Sequence, residues 1–139
     1  MNIFLDTNIC LDLLDTTRRN SIATVDWYMS KKDDTSLHFY FSSDFITTFY
    51  YVLTERRKIN ADDVVKAIDA LSFEIIPFYL NHNDFISAKN DFNDKVFNDF
   101  EELMIVNSAM RCECTLFVTN DKDLLGLGKV GNMKIVSVP

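Results

Sequence analysis

Two aspartates stand where short apolar segments of the chain end. Asp6 comes directly after the apolar run of residues 2–5, and Asp121 follows the run 116–119 by two residues. Runs of this length, bounded by polar residues, are typical of buried β-strands. If both strands belong to one parallel sheet, their carboxyl ends meet at one edge, and both carboxylates point into the same crevice.

Two further acids lie at the start of a segment with helical periodicity. Asp99 and Glu102 are three residues apart, so their side chains share one face of the predicted helix 99–110. Carboxylates that converge on one point repel each other and become protonated unless a cation lies between them. Together with Asp6 and Asp121, these residues therefore predict a cation site.

A hard divalent ion fits such a site best. Mg²⁺ takes a few carboxylates, keeps several waters and bridges to substrate phosphate groups. The same chemistry polarises phosphoryl oxygens and activates water for attack on phosphorus. We therefore expect Mg²⁺ or Mn²⁺ bound directly by Asp6, Glu102 and Asp121, with Asp99 assisting and water as the attacking group. Thr7 and Thr119 are expected to orient these ligands through hydrogen bonds.

The elements that must position these acids alternate between strand and helix, which predicts an α/β fold with a mainly parallel sheet. The predicted strands cover residues 2–5, 38–41, 73–76, 116–119 and 134–138. The predicted helices cover residues 9–14, 21–32, 44–58, 61–71, 83–91 and 99–110, with one more helical turn after residue 121.

The composition limits the class of protein. A chain of 139 residues with 47% hydrophobic content fits a single domain, here residues 1–139. No apolar run approaches the roughly 20 residues of a membrane span, and the first residues do not resemble a secretory signal. Three cysteines, an odd number, indicate free thiols, so we expect a cytoplasmic location and no membrane.

The net charge of −7 argues against a protein that binds phosphate backbones by charge alone. If several of the 21 acids surround metal ions, however, the cations reverse the local sign of the charge. Arg56, Arg57 and Lys58 form the one dense basic run, which suits either RNA phosphates or a solvated helix end.

Three segments resemble motifs of the PIN-domain ribonucleases, and especially the small toxin nucleases of bacterial toxin-antitoxin pairs. They are residues 3–9, with Asp6 followed by Thr7 and Asn8; residues 99–105, with Glu102 where an aspartate is usual; and residues 117–124, with Asp121 and then Asp123 as a substitute ligand. Asp12 also fits the first motif.

The resemblance implies a three-layer α/β/α fold and a metal-dependent endoribonuclease. It further implies an RNA substrate, an inhibitory antitoxin protein as partner and a homodimer formed through apolar helices.

One position departs from the family pattern. Family members usually carry an acid on the helix after the second strand, and Thr48 occupies that position here. Asp44 lies one turn earlier on the same face and could compensate. If it does not, three or four acids remain, which could hold one ion, and the alternative is a degenerate PIN-like module that binds RNA or a protein without cutting. A metal-dependent phosphatase or a DNA nuclease is a third interpretation of the carboxylates.

Each acid also has a purely structural interpretation. Asp6, Asp44 and Asp121 could simply cap the helices that follow them. Asp99 and Glu102 suit a helix N-terminus for electrostatic reasons alone.

Overall fold

The computed structural model describes residues 1–139 as a six-stranded sheet surrounded by helices. The strands are β1 (Asn2–Leu5), β2 (His38–Ser42), β3 (Ile76–Phe78), β4 (Cys114–Val118), β5 (Lys129–Val130) and β6 (Met133–Val136). The helices are α1 (Thr7–Leu14), α2 (Ser21–Lys31), α3 (Phe45–Tyr51), α4 (Ala61–Glu74), α5 (His82–Asn93), α6 (Phe100–Arg111) and α7 (Lys122–Leu127). Residues Val52–Arg56 continue α3 as a π-helical turn.

The order of the strands in the sheet is β3-β2-β1-β4-β6-β5. All neighbours run parallel except β5 and β6, which are antiparallel. The chain moves outward from β1 to β3 and then returns to place β4 on the other side of β1. The strand order therefore reverses between β1 and β4, which is the position where open α/β sheets form their ligand crevice.

The same reversal distributes the helices over two layers. Connections between parallel strands are right-handed, so helices that precede a reversal cover one face of the sheet and those that follow it cover the other. Helices α1 to α4 pack among themselves, and α5 packs against α6. The predicted α/β fold with a central, mainly parallel sheet is confirmed.

The core lies on both sides of the central strands. Phe4 of β1 and Phe117 of β4 are fully buried, and their rings stack with centroids 5.4 Å apart. Because apolar side chains of adjacent strands interlock here, the register of β1 against β4 is fixed. That register determines the height at which Asp6 and Asp121 leave the sheet.

The prediction of a strand at residues 73–76 is wrong in part. Helix α4 continues to Glu74, and β3 begins at Ile76. The buried stripe of Val64, Ile68 and Ile75 keeps helical spacing, whereas the side chain of Phe73 is 84% exposed. Phe73 therefore belongs to the solvent face of α4.

Two buried aspartates on helices form hydrogen bonds with arginine side chains. Asp12 of α1 accepts hydrogen bonds from Arg18 (2.8 Å) and Thr24 (3.0 Å). Asp84 of α5 forms two 2.9 Å hydrogen bonds with the guanidinium of Arg111. Each carboxylate is therefore paired with an arginine of the chain itself.

None of the helices has both the length and the apolar character that a membrane span requires.

Candidate metal centre

Asp6 is the residue at which β1 passes into α1. It is 4% exposed, and its Oδ2 accepts a 2.7 Å hydrogen bond from the hydroxyl of Thr119, the residue that follows β4. Its Oδ1 accepts from the backbone N–H of Thr7 at 2.8 Å. Burial raises the pKa of Asp6, the two hydrogen bonds lower it, and the nearby charge of Asp121 raises it further.

Asp121 occupies the corresponding place between β4 and α7. Its Oδ1 accepts from the backbone N–H groups of Asp123 (2.8 Å) and Leu124 (3.1 Å), so this oxygen caps α7. The hydroxyl of Thr119 accepts from the backbone N–H of Asp121 at 3.0 Å while it donates to Asp6. Thr119 thus joins the two aspartates through one side chain.

Glu102 reaches the same place from α6. Its Oε2 is buried and has no hydrogen-bond partner. Burial, and then the charges of Asp6, Asp99 and Asp121 in that order, raise the pKa of Glu102 to about 8. An effect of each of these charges on Glu102 requires that the carboxylates lie near one another. The structure therefore brings together acids that are up to 115 positions apart in the sequence.

Asp99 lies at the rim of this group. It is exposed, and its Oδ1 accepts from the backbone N–H of Glu102 at 3.1 Å, so it caps α6. The structural interpretation of Asp99 is therefore correct for one of its oxygens. The second oxygen makes no hydrogen bond to the protein and is free for an additional ligand.

A cleft of about 380 Å³ opens beside Glu102. Its wall contains the two acids Glu101 and Glu102, the apolar residues Leu80, Met104 and Ile105, and from the other side Thr7, Asp44, Phe45 and Thr48. Asp44 precedes α3, but its carboxylate makes no capping hydrogen bond. The cap interpretation of Asp44 is therefore wrong, and its carboxylate is free in the wall that also contains Thr48.

Other residues of the sequence prediction lie outside this group. Asn8 is exposed on α1 and makes no side-chain hydrogen bond, and the carboxylate of Asp123 is likewise exposed and unbonded. Asp12 points into the protein, where it pairs with Arg18, and the side chain of Asn120 donates to it at 3.4 Å. Asp12 therefore supports the loop after β4 instead of facing the cleft.

Sequence reasoning missed several residues of the cleft wall. Glu101, Met104 and Ile105 line the cleft together with Glu102. The spacing of three and four residues between Glu101 and the two apolar side chains was a signal that could have identified this face. No local signal identifies Leu80, because it enters from the segment before α5.

The donor set suits a hard cation. No three His, Cys, Asp or Glu side chains surround a common point at ligand distance. Mg²⁺ is commonly held by one or two carboxylates and otherwise by waters and substrate phosphate, so it does not require such a cage. The buried Oε2 of Glu102 lacks a partner beside other acids, and a bound cation would satisfy it. The residues present therefore fit a divalent ion.

Comparison with known proteins assigns the chain to one class of protein. The model of the PIN domain family matches residues 3–130. The chain therefore belongs to the PIN domain family, as the three segments resembling its motifs indicated.

Individual relatives support the assignment. The chain is 32% identical over 124 residues to Ribonuclease VapC1 of Aquifex aeolicus (strain VF5), which covers 86% of this chain and 81% of that protein. The structure is similar to that of VapBC2 from Rickettsia felis bound to a DNA fragment from their promoter. The TM-score is 0.73 at 13% identity, and the match covers 99% of this chain and 98% of that chain. It is also similar to Mycobacterium tuberculosis VapC20, a sarcin-ricin loop cleaving toxin. The TM-score is 0.71 at 16% identity, and the match covers 95% of this chain and 98% of that chain.

Proposed function

We propose that this chain is an endoribonuclease that hydrolyses RNA phosphodiester bonds with Mg²⁺ or Mn²⁺. The observation that carries the proposal is the buried, unpartnered Oε2 of Glu102, a residue whose pKa is raised by burial and by the charges of Asp6, Asp99 and Asp121. The name of the relative, Ribonuclease VapC1, supports RNA as the substrate class.

Each acid has a role in this proposal. Asp6, Glu102 and Asp121 hold the cation, and Asp99 assists from the rim through its free oxygen. When bound, the ion neutralises charge on the phosphate and favours ionisation of the attacking water. The residue Thr119 orients Asp6 and Asp121 toward one another by donating to one and accepting from the other. The backbone N–H of Thr7 orients the second oxygen of Asp6.

The test is cleavage of RNA by purified protein in the presence of Mn²⁺. We expect the wild type to release products and Asp6→Asn and Asp121→Asn to lose at least roughly 100-fold of the activity, since the substitutions remove ligand charge but keep shape. Asp69→Asn, an exposed acid on α4, is the matched control and should cleave like the wild type. Equal cleavage by all four proteins would reject the site.

A second candidate function is a PIN-like module that binds RNA or protein without cutting. Thr48 in the cleft wall and the absence of a three-acid cage favour it. The variant Thr48→Asp separates the two candidates. If Thr48 is a lesion, this variant gains activity over an inactive wild type. If Asp44 already compensates, wild type and Thr48→Asp cleave within a few fold of each other, and Asp44→Asn reduces cleavage.

We further propose that the chain is a single-domain, cytoplasmic toxin that a cognate antitoxin inhibits, and that it forms a homodimer. The names of the similar structures, which are VapBC complexes and a VapC toxin, support this assignment. Co-expression with the product of a neighbouring small gene should relieve growth arrest and suppress cleavage. Growth arrest that persists with every neighbouring gene product would contradict the antitoxin assignment, and expression without growth arrest would contradict the toxin assignment, in both cases without affecting the nuclease assay.

A further inference from the structure

Helix α5 carries aromatic and basic side chains on one face. His82, Phe85, Lys89 and Phe92 are spaced by three or four residues and therefore form one stripe, and Lys95 follows just past the end of the helix. We call these five residues the α5 strip. Its two phenylalanines remain 38% and 45% exposed although they are among the largest apolar side chains.

The strip begins at the edge of the acidic cleft. Phe100, the first residue of α6, has its ring centroid 5.8 Å from that of Phe85 and 5.9 Å from that of Phe92, both edge to face. The next two residues of α6, Glu101 and Glu102, line the cleft. A ligand that leaves the cleft beside Phe100 therefore meets the strip immediately.

The start of the strip is also joined to the cleft. The ring of His82 stacks on that of Phe85 at 5.5 Å and 27°, and Leu80, two residues before His82, is part of the cleft wall. Asn81 and Asp84 form a reciprocal capping box at the start of α5. The guanidinium of Arg111 bonds to Asp84 and lies 4.4 Å from the ring centroid of Phe78. These contacts hold the rings in place, so binding to them costs little ordering entropy.

The charges on the strip favour a polyanion. Neither Lys89 nor Lys95 takes part in an ion pair, in a chain whose net charge is −7. Asp84 and Asp91 already accept hydrogen bonds from Arg111 and Asn107, and Asp94, which precedes Lys95, is the one acid of this segment without such a partner. Lysines are depleted in interfaces between protein chains, whereas lysines among exposed aromatic rings are typical of surfaces that bind single-stranded nucleic acid.

Lys95 has an unfavourable backbone conformation. Its φ is 58°, in the left-handed region that favours glycine, and the N–H groups of Lys95 and Val96 bond back to the carbonyls of Phe92 and Asp91. This is the glycine position of a Schellman motif. A lysine here costs stability relative to glycine.

We propose that the α5 strip binds an unpaired segment of the RNA that enters the cleft. Bases stack on His82, Phe85 and Phe92, and Lys89 and Lys95 contact phosphates. The segment is unpaired because a base within a duplex does not offer its face to a side chain. This inference rests on the proposed function and adds to it a surface outside the cleft that holds the strand and a direction in which the strand leaves the site.

The first test measures binding of a fluorescein-labelled oligouridylate of twelve nucleotides by anisotropy, in the Asp121→Asn background, which prevents cleavage. Replacing Phe85 and Phe92 together by leucine keeps apolar volume but removes the stacking faces. We expect Kd to rise roughly 10-fold or more. Phe73→Leu, which changes an exposed phenylalanine on α4, should leave Kd unchanged.

The second test separates the effect of the lysine charges on RNA binding from their effect on the stability of the fold. Lys95→Gly should raise the melting temperature, because glycine accepts a positive φ, while it weakens RNA binding several-fold. Glu113→Gly is the control for the backbone effect, since Glu113 has a φ of 59° and lies outside both the α5 strip and the Arg56–Lys58 basic run. It should be stabilised without weaker binding. Lys89→Gln should reduce the slope of log Kd against log salt by about 0.7.

The outcomes are distinguishable. A wild type that neither binds nor cleaves RNA overturns the proposed function. If the wild type cleaves but the strip variants bind RNA as the wild type does, only the present inference fails. Light scattering must accompany each variant, since a change in molar mass would assign the strip to contact between two copies of the chain and overturn the inference. Weaker binding by Glu113→Gly than by Lys95→Gly would also overturn it.

Discussion

Two sets of wholly or partly buried acids in this molecule differ in whether an arginine neutralises them. In the paired set, Asp12 and Asp84 each face an arginine at 2.8 to 2.9 Å and accept further hydrogen bonds. In the cleft set, Asp6 and Glu102 face other acids, and one oxygen of Glu102 has no partner. Asp6 is about as deeply buried as Asp12 and Asp84, so burial alone does not explain the difference.

The difference lies in where the compensating cation comes from. Removing a carboxylate from water costs several kcal/mol unless a positive charge or hydrogen bonds compensate. The protein supplies that charge to the paired set from its own sequence. The cleft set receives no positive charge from the protein, so a metal ion or a proton must compensate its negative charge. We therefore expect the paired set to control stability and the cleft set to control activity, and the following predictions test this division.

The largest effect on stability is expected at the paired set. Asp84→Asn leaves the guanidinium of Arg111 without its bidentate partner and should lower the free energy of unfolding by roughly 3 kcal/mol. Urea unfolding at neutral pH measures the change. The variant should keep its activity at temperatures where it is folded. A loss of activity in the folded protein would show that the two sets are not separate.

The next effect is expected at Thr119, which joins the two cleft aspartates. Thr119→Val removes the hydroxyl but keeps the shape, so Asp6 loses a donor and the N–H of Asp121 loses an acceptor. Substitutions that free ligands in this way typically cost 10- to 100-fold in activity or metal affinity, and we expect an RNA cleavage rate reduced by about that factor. Thr119→Ser, which keeps the hydroxyl, is the control and should retain most of the activity.

The pH dependence of the free energy of unfolding should differ between the wild type and the neutral variant Glu102→Gln. Without divalent ions the pKa of Glu102 is raised from 4.5 to about 8 in the folded protein. Between these values the folded state binds the proton and the unfolded chain does not, so the free energy of unfolding falls as pH rises. We expect Glu102→Gln in EDTA to match the wild type near pH 4.5 and to have the higher Tm above pH 8.

Adding Mn²⁺ at pH 8 reverses this order. The ion binds the ionised carboxylate of the folded wild type and should stabilise it, but not Glu102→Gln. A metal-dependent rise of Tm that is the same in both proteins would contradict a role for Glu102 as a ligand.

The smallest effect is expected at Asp99, where capping and metal binding can be separated. Asp99→Ala removes the cap of α6 and should cost about 1 kcal/mol of stability, whereas Asp99→Ser retains a capping oxygen and should cost little. If the second oxygen of Asp99 assists the cation, both variants need more Mn²⁺ for half-maximal cleavage. An unchanged requirement for Mn²⁺ in both variants would leave Asp99 as a cap alone.

Local patterns predicted most elements because periodicity and capping are read from neighbouring residues. The helix that contains Glu102 and the strands before Asp6 and Asp121 follow from such patterns. The end of α4 at Glu74 does not, since Phe73 and Ile75 are both apolar and only packing decides which is buried. The antiparallel strand β5, with two residues, carries too little pattern to be recognised.

The sequence by itself determined which residues carry the charges and which elements they follow, because these properties depend on residue type and short-range spacing. Tertiary structure alone decided which acids acquire a partner. Asp12 and Asp6 lie on or beside the same helix, yet one meets Arg18 and the other meets Thr119 and the cleft acids. The reason is that neutralisation depends on distances between side chains, and only the crossing of β4 beside β1 fixes those distances.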